Sequence, residues 1–346
     1  MMKTGSTSIQ AAFHGYDDGR LRDLPHSMRN HSSLLRNVLK DQPFPTLRTL
    51  GKEHTAEELE AQRRKERRRF RRMISEDDRD LIISSEELTT TFSRPNLKRL
   101  KRLLDEQFDD IRVIAYVREP VSFMSSIFQQ RTKMGRIGFE YADMYPDYRH
   151  LFAKWVELVG TDAIEAIQFH RSQFHEEDLV SDFANRVGAD PSQLVSEPSV
   201  LNQTLTAEAL SVLYAFRVAR GNPRDNPMLA KHNARAIKFL QGFGSRPFQV
   251  GLAGCMEEIE RRHDDIAFVE NLMGSTFIYR DQPLRGGVEF TSERDVLDFA
   301  DEVTPLLVDR VNDAYAGTTG RVSTMVEALD LLYSQRPPSA ADAGPA

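Results

Sequence analysis

The sequence predicts an α/β protein in which a parallel β-sheet is flanked by helices and followed by a mostly helical C-terminal half. Three observations carry that expectation. Short apolar runs at 81–83, 112–117 and 163–169 alternate with segments whose apolar residues recur at helical spacing. A polar turn containing glycine, Lys3-Thr4-Gly5-Ser6-Thr7-Ser8, leads directly into a helix, as ligand-binding turns of α/β folds do. Beyond residue 170 strand signals fade and helical spacing takes over. One domain over 1–330 is expected, with 1–200 as its ligand-binding core and 201–330 as a helical part. Residues 337–346, rich in Pro, Ala and Gly, are expected to form a disordered tail.

The elements follow in order. A helix should run from Ser6 to His14. Residues 15–54 are polar and irregular, with a short helix from Ser27 to Lys40 and turns around Pro43 and Pro45. Thr55-Ala56-Glu57-Glu58 is a capping box that starts a helix reaching about Ile74. Asp80 to Ser84 is a short buried strand. Leu97, Leu100, Leu103 and Leu104 give an amphipathic helix from Pro95 to Gln107. A strand at 112–117 leads into a helix from Pro120 to about Lys133, with proline in its first turn. A helix from Asp147 to Val159 precedes a strand from Ala163 to Phe169. Ser172 to Val187, Thr206 to Ala219, Asn233 to Gly242, Gly251 to Met273 and Val296 to Ala314 all read as helices.

The opening turn is suited to an anion. Gly5 lets the backbone turn tightly, Ser6, Thr7 and Ser8 offer hydroxyls at a helix start, and Lys3 adds a full positive charge. In a nucleotide-hydrolysing phosphate loop the lysine follows the glycines. Here it precedes Gly5, which points away from ATP and GTP hydrolysis. A second motif follows the apolar run Arg112 to Val117: Arg118-Glu119-Pro120, then Ser126 eight residues after the arginine. Together the two stretches resemble the 5′-phosphosulfate loop and the 3′-phosphate motif of the sulfotransferases that use 3′-phosphoadenosine-5′-phosphosulfate (PAPS), particularly bacterial and carbohydrate members. The resemblance implies a P-loop-like sulfotransferase fold. It also implies PAPS as donor, no metal, and a carbohydrate or glycolipid hydroxyl as acceptor. Lys3, Thr4, Gly5, Ser6, Thr7 and Ser8 would hold the 5′-phosphate, and Arg118 and Ser126 the 3′-phosphate. For Lys3 the alternative is a frayed, solvated terminus; for Arg118 it is an ion-paired surface arginine.

The acceptor hydroxyl must lose a proton, so a general base is needed. Related carbohydrate sulfotransferases use a carboxylate or histidine near the strand end at 81–83. Glu86 is therefore the candidate, Glu87 second, with His14 and His26 behind them; a capping or solvated carboxylate is the alternative. Asn202-Gln203-Thr204-Leu205-Thr206 resembles a further stretch of bacterial members. The chain departs from the family before Lys3, where members carry an apolar strand and Gly-x-Pro and this sequence has only Met1-Met2. A missing strand would leave its neighbours with unpaired edges. A start assigned too late is the favoured explanation, and a true truncation with weak or absent PAPS binding the other.

Composition narrows the classes. Hydrophobic residues at 40% and charged residues at 28% are those of a soluble globular protein. No apolar run is long enough to span a bilayer, and no secretion leader is read, so a cytoplasmic protein is expected, with peripheral membrane contact left open. Cys255 is the only cysteine, so no intramolecular disulfide can form, and its apolar neighbours suggest a buried thiol. A net charge of −6 argues against nucleic-acid binding. Eight of the eleven residues from Gln62 to Arg72 are nevertheless basic; they form either a solvated helix stretch or a basic surface attracting an anionic acceptor or the cofactor, and because they wrap all sides of a helix they make no single clean face. His170 and His175, five apart, suit no common helical face. The competing functions are a non-catalytic sulfotransferase-like protein and a P-loop kinase of small molecules.

Overall fold

The structure, a computed structural model, describes residues 1–40, 55–195, 204–222, 225, 227–280, 282, 284–317 and 319–335. The expected turns at Pro43 and Pro45 and the expected tail at 337–346 lie outside the described residues. In chain order the elements begin α1 (Ser6–Ala12), β1 (Leu21–Asp23), α2 (Ser32–Leu39), α3 (Ala56–Ile74), β2 (Asp80–Ile82), α4 (Glu87–Thr90), α5 (Arg94–Asp105) and β3 (Val113–Val117). They continue with α6 (Pro120–Lys133), α7 (Tyr141–Met144), α8 (Tyr148–Val159), β4 (Ile164–Gln168), α9 (Leu179–Val187), α10 (Ala207–Arg220) and α11 (Pro227–Leu240). The last are β5 (Phe248–Val250), α12 (Leu252–Arg261), α13 (His263–Met273), β6 (Val288–Phe290), α14 (Glu293–Ala314) and α15 (Met325–Ser334).

The chain forms two compact units. The first comprises Met1–Arg118, Asp147–Leu201 and Asp264–Ile278; the second Glu119–Pro146, Asn202–His263 and Tyr279–Ala346. Each draws on three stretches of chain, where the sequence reading divides it once, at residue 200.

In the first unit β1 pairs with β2, and β3 with β4, both in parallel. The two pairs are separate sheets, so the single continuous sheet expected from the sequence is not what forms among the described residues. Alternate strand residues feed two apolar clusters. Leu81, Ile83, Val113 and Ile164 pack with Leu35, Phe70, Leu97 and Trp155 under α2, α3, α5 and α8. Ile82, Ile114, Tyr116 and Ile167 pack with Ile9, Phe13, Phe183 and Ala184 under α1 and α9. Strands buried on both faces read as continuous apolar runs rather than alternating ones, which is why 81–83 and 112–117 were legible. β1 was not: Leu21-Arg22-Asp23 is two-thirds charged, and Arg22 is buried only because Asp77 accepts its Nε at 3.0 Å and Met73 O accepts Nη2 at 3.0 Å.

Several expected helices start or stop elsewhere. The stretch 172–187 is two short 3-10 turns followed by α9, because Asp178 accepts from the N–H groups of Val180 and Ser181 and caps a fresh start. The stretch 251–273 breaks at Arg262 into α12 and α13. α11 begins earlier than expected, at Pro227, a residue suited to a first helical turn. The basic run lies on α3, whose buried residues are Phe70, Met73 and Ile74. Lys65, Arg68, Arg69 and Arg72 are exposed.

The second unit is built around α10, buried from Ala207 to Arg217, with β5 and β6 forming a third parallel pair. Arg217 Nη2 donates to Tyr333 Oη at 2.6 Å and also bonds Asn233, which ties α10, α11 and α15 together. Cys255 is fully buried, and burial pushes its thiol up to about 12. No helix among the described residues is long and apolar enough to cross a membrane.

Candidate functional site

Within the first unit, the carboxyl ends of β2 and β3 lead to one turn, Lys3 to Ser6. The turn is held from below by the start of the chain. The Met1 amine donates to Tyr116 O at 3.0 Å, and the buried Thr4 hydroxyl donates to Met1 O at 2.6 Å. Lys3 (φ 63°) and Gly5 (φ 70°) both take the left-handed conformation. A Cβ on Gly5 would sit 2.4 Å from Leu179 Cδ2 and 3.3 Å from Phe169 Cε2, so the bare glycine is what lets the turn seat against β4's end.

Arg118 follows β3. Its Nη1 donates to Lys3 O at 2.9 Å, its guanidinium lies 5.7 Å from the centre of the Phe169 ring, and its own carbonyl accepts the Tyr148 hydroxyl at 2.5 Å. Glu86 follows β2 and stands at the start of α4, yet its side chain caps nothing there; its carboxylate accepts the Ser6 hydroxyl. Three sequence-expected residues, Lys3, Arg118 and Glu86, thus meet at the Gly5 turn. Glu87 is turned away, its Oε2 3.2 Å from Arg36 Nε.

The other expected residues are placed as follows. Thr4 is buried, and its hydroxyl is committed to Met1. Ser6, Thr7 and Ser8 are half-buried on the first turn of α1, and the Ser8 N–H already donates to Gly5 O at 2.9 Å. Ser126 lies half-buried on α6, in the second unit; its neighbour Ser125 donates to Val121 O and accepts from Val250 N at 3.1 Å. Glu119 of the Arg-Glu-Pro motif caps α6, accepting from Val121 N at 2.8 Å and Ser122 N at 2.7 Å. Asn202 and Gln203 lie outside the described residues. Thr206 caps α10, accepting from Ala209 N at 3.1 Å. His170 and His175 are exposed. Among the described residues no cluster of His, Cys, Asp or Glu is placed to hold a metal.

The electrostatics of the turn follow from its crowding. Burial lowers the Lys3 pKa, Arg118 lowers it further, and Glu86 opposes both. Burial likewise brings the Met1 amine down to about 6, again against Glu86. Lys3 and Arg118 are thus close enough to feel one another's charge, and Glu86 acts on Lys3 with the opposite sign.

The contacts that hold Ser84 and Ser85, just ahead of Glu86, were not legible in the sequence. His31 N donates to Ser84 O at 3.0 Å, and Ser84 N donates to His31 Nδ1 at 3.1 Å. Gln10 Nε2 donates to Ser84 Oγ at 3.1 Å, and the Ser32 and Ser85 hydroxyls are 2.6 Å apart. His31 is fully buried, with Nε2 3.6 Å from Asp23 Oδ1. Burial raises Asp23 to about 6 and lowers His31 to about 4. Their linkage to folding has opposite signs. Asp23 contributes stability below its unfolded pKa that is lost as pH rises through about 6; His31 contributes stability above its unfolded pKa that is lost as pH falls through about 4. Between those values the two nearly cancel. Asp23→Asn should therefore expose the histidine: stability of the variant falls as pH drops from 6.5 towards 4, by up to about 1.4 kcal/mol per pH unit. Urea unfolding of both proteins across that range checks it, a parallel pH dependence being the contrary result.

Comparison of the chain with protein-family models, with curated proteins and with solved structures gives no match.

Proposed function

We propose that this protein is a sulfotransferase that moves a sulfuryl group from PAPS to a hydroxyl of a carbohydrate or glycolipid acceptor. The observation behind the reading is the meeting of Lys3, Arg118 and Glu86 at the Gly5 turn. Arg118 and Lys3 repel each other across a half-buried turn, a repulsion that a bound phosphate or phosphosulfate would offset. The residues suit such a donor: a lysine ahead of the glycine, a planar guanidinium bonded to the turn, and a carboxylate that acts on the lysine.

When bound, PAPS supplies an activated sulfuryl group and leaves as adenosine 3′,5′-bisphosphate. The chain's part is positioning and charge. Lys3 would carry the positive charge that stabilises the leaving phosphate oxygen as the S–O bond breaks. The backbone of the turn and the hydroxyls of Ser6 and Thr7 would orient the phosphate, and Arg118 would neutralise further anionic charge. Glu86 would accept the proton of the acceptor hydroxyl as its oxygen bonds to sulfur. The acceptor class rests on sequence resemblance, since a fold does not set a substrate.

Transfer of label from sulfur-labelled PAPS to a panel of saccharides and glycolipids tests the reading. Glu86→Gln should lower turnover about a hundredfold or more while leaving donor binding nearly unchanged. Equal turnover in the two proteins would remove Glu86 from the chemistry. An untransferred label across the panel, with the protein folded, would favour a non-catalytic protein. A small-molecule kinase is disfavoured by the position of Lys3 ahead of Gly5.

A further inference from the structure

The basic run wraps its helix, but burial sorts it into two halves. Inward, α3 turns Phe70, Met73 and Ile74 into the apolar cluster shared with α2, α5 and α8. Arg63 and Arg67 share that side and are half-buried: Arg67 Nε donates to Val38 O at 3.0 Å, and Arg63 pairs with Glu60 at 2.9 Å. Outward, Arg64, Lys65, Arg68, Arg69, Arg71 and Arg72 are all exposed, along about 12 Å of helix at about 1.5 Å per residue. Arg64, Arg69 and Arg71 have carboxylates at 3.8, 3.9 and 3.3 Å. Lys65, Arg68 and Arg72 run down the middle of the face at i, i+3, i+7 and form no ion pair among the described residues. Like charges three and four apart destabilise a helix, and from Ala61 to Ser75 no exposed carboxylate offsets the repulsion.

The positive area widens sideways onto α5. From Arg94 to Leu104 that helix carries five basic residues and no acidic one, and Lys98 and Arg102, four apart, are exposed. α3 and α5 meet around the end of α2, where Arg67 bonds Val38 O and Arg99 bonds Leu39 O. Arg71 also reaches Glu106 at the end of α5. Both helices turn their apolar residues into the same cluster, so their outward faces lie on one side of the first unit.

We propose that the outward faces of α3 and α5 form a docking surface for a lipid bilayer rich in anionic headgroups, held by charge without insertion among the acyl chains. Charge complementarity sets the class of partner. Five of the six exposed cations on α3 are arginines, whose planar guanidiniums suit phosphate, and they are gathered on a chain whose net charge is −6. The breadth of the patch favours a plane. A nucleic-acid groove admits one helix, whereas cations spread over two neighbouring helices meet a flat array of anions together. Composition agrees, since Ala61 and Gln62 are the other exposed residues between 61 and 72. The face therefore lacks the aromatic side chains on which bases stack. None of the large apolar side chains exposed among the described residues lies on α3 or α5, which is why contact stops at the headgroups. The inference stands apart from the sulfotransferase reading, because it needs only the surface charges of the first unit.

The test is co-flotation of the whole chain with vesicles. Phosphatidylcholine vesicles containing about 30% phosphatidylserine should carry the protein, and vesicles of phosphatidylcholine alone should not. Raising salt from about 50 mM to about 500 mM should release it. At about fivefold per cation, the triple change Lys65→Gln, Arg68→Gln, Arg72→Gln should weaken binding about a hundredfold, and the pair Lys98→Gln, Arg102→Gln about tenfold or more. The triple change Arg261→Gln, Arg294→Gln, Arg321→Gln removes the same charge from exposed positions of the second unit and should leave binding unchanged. Equal binding to the two kinds of vesicle would overturn the proposal, as would an α3 triple variant that is folded in urea titration and binds like the original. An equal loss in the second-unit variant would do the same, because net charge alone would then explain the binding. So would a duplex DNA of about 20 base pairs that binds more tightly than the anionic vesicles at equal phosphate concentration, which would assign the face to nucleic acid.

Discussion

Lys3→Ala should lower sulfuryl transfer by about a hundredfold to a thousandfold, with a much smaller change in donor affinity. The reason is where the charge acts. The ammonium lies in a half-buried turn beside Arg118 and Glu86, and it would matter most as negative charge develops on the leaving oxygen. A group that acts chiefly in the transition state lowers kcat rather than raising KM. The same surroundings set a pH signature. With its pKa lowered, Lys3 loses its proton at lower pH than an ordinary lysine, so the alkaline limb of the rate profile should fall early. Removing the Glu86 charge takes away what opposes that shift, and the residual activity of Glu86→Gln should fall at lower pH still. Steady-state kinetics of the original protein and of Glu86→Gln from pH 7 to 11 would show it. A rise in KM alone for Lys3→Ala, with turnover intact, would make Lys3 a simple binding group.

Gly5→Val should be the most damaging single change to the turn. Gly5 has φ 70°, where a β-branched residue is strained by about 1–2 kcal/mol. Its Cβ would in addition lie 2.4 Å from Leu179 Cδ2 and 3.3 Å from Phe169 Cε2. Overpacking of that kind costs about 1–3 kcal/mol, so a total loss of about 2–5 kcal/mol in unfolding free energy is expected. Gly5→Asn separates the causes, because asparagine tolerates the left-handed conformation but still carries a Cβ. If Asn restores most of the stability, backbone strain dominates; if it does not, the contact with Leu179 and Phe169 dominates. Unfolding in urea distinguishes these, and a Gly5→Val protein as stable as the original would contradict the packing described here.

What could be read from the sequence, and what could not, has a physical pattern. β2 and β3 were legible from the apolar runs Leu81-Ile82-Ile83 and Val113 to Val117, and β4 from the apolar residues Ile164, Ala166 and Ile167. β1, β5 and β6 are, like β2, only three residues long, but each carries a charged or amide residue (Arg22 and Asp23, Gln249, Glu289) that breaks the apolar run. α15 was missed although Thr324 and Glu327 form a capping box as plain as the one at Thr55 and Glu58. The meeting of Lys3, Arg118 and Glu86 was legible because each follows or precedes a recognisable element at the same edge. Phe169, on which Arg118 and Gly5 both rest, was not, since an aromatic after a strand looks like any core residue. Nor were His31 and Asp23, whose sequence neighbours are polar and whose burial depends on contacts with residues 84 and 15, far from or unmarked in the chain.

The central claim is that the Gly5 turn, with Lys3 and Arg118, grips a nucleotide carrying phosphates at both ends of its ribose. Titration calorimetry with adenosine 3′,5′-bisphosphate, set beside adenosine 5′-phosphate and ATP with magnesium, tests it most directly. The bisphosphate should bind at least tenfold more tightly than either, and Arg118→Ala should lose about 2–5 kcal/mol of that binding. Absence of bisphosphate binding by the folded protein, or equal affinity for all three nucleotides, would contradict the account.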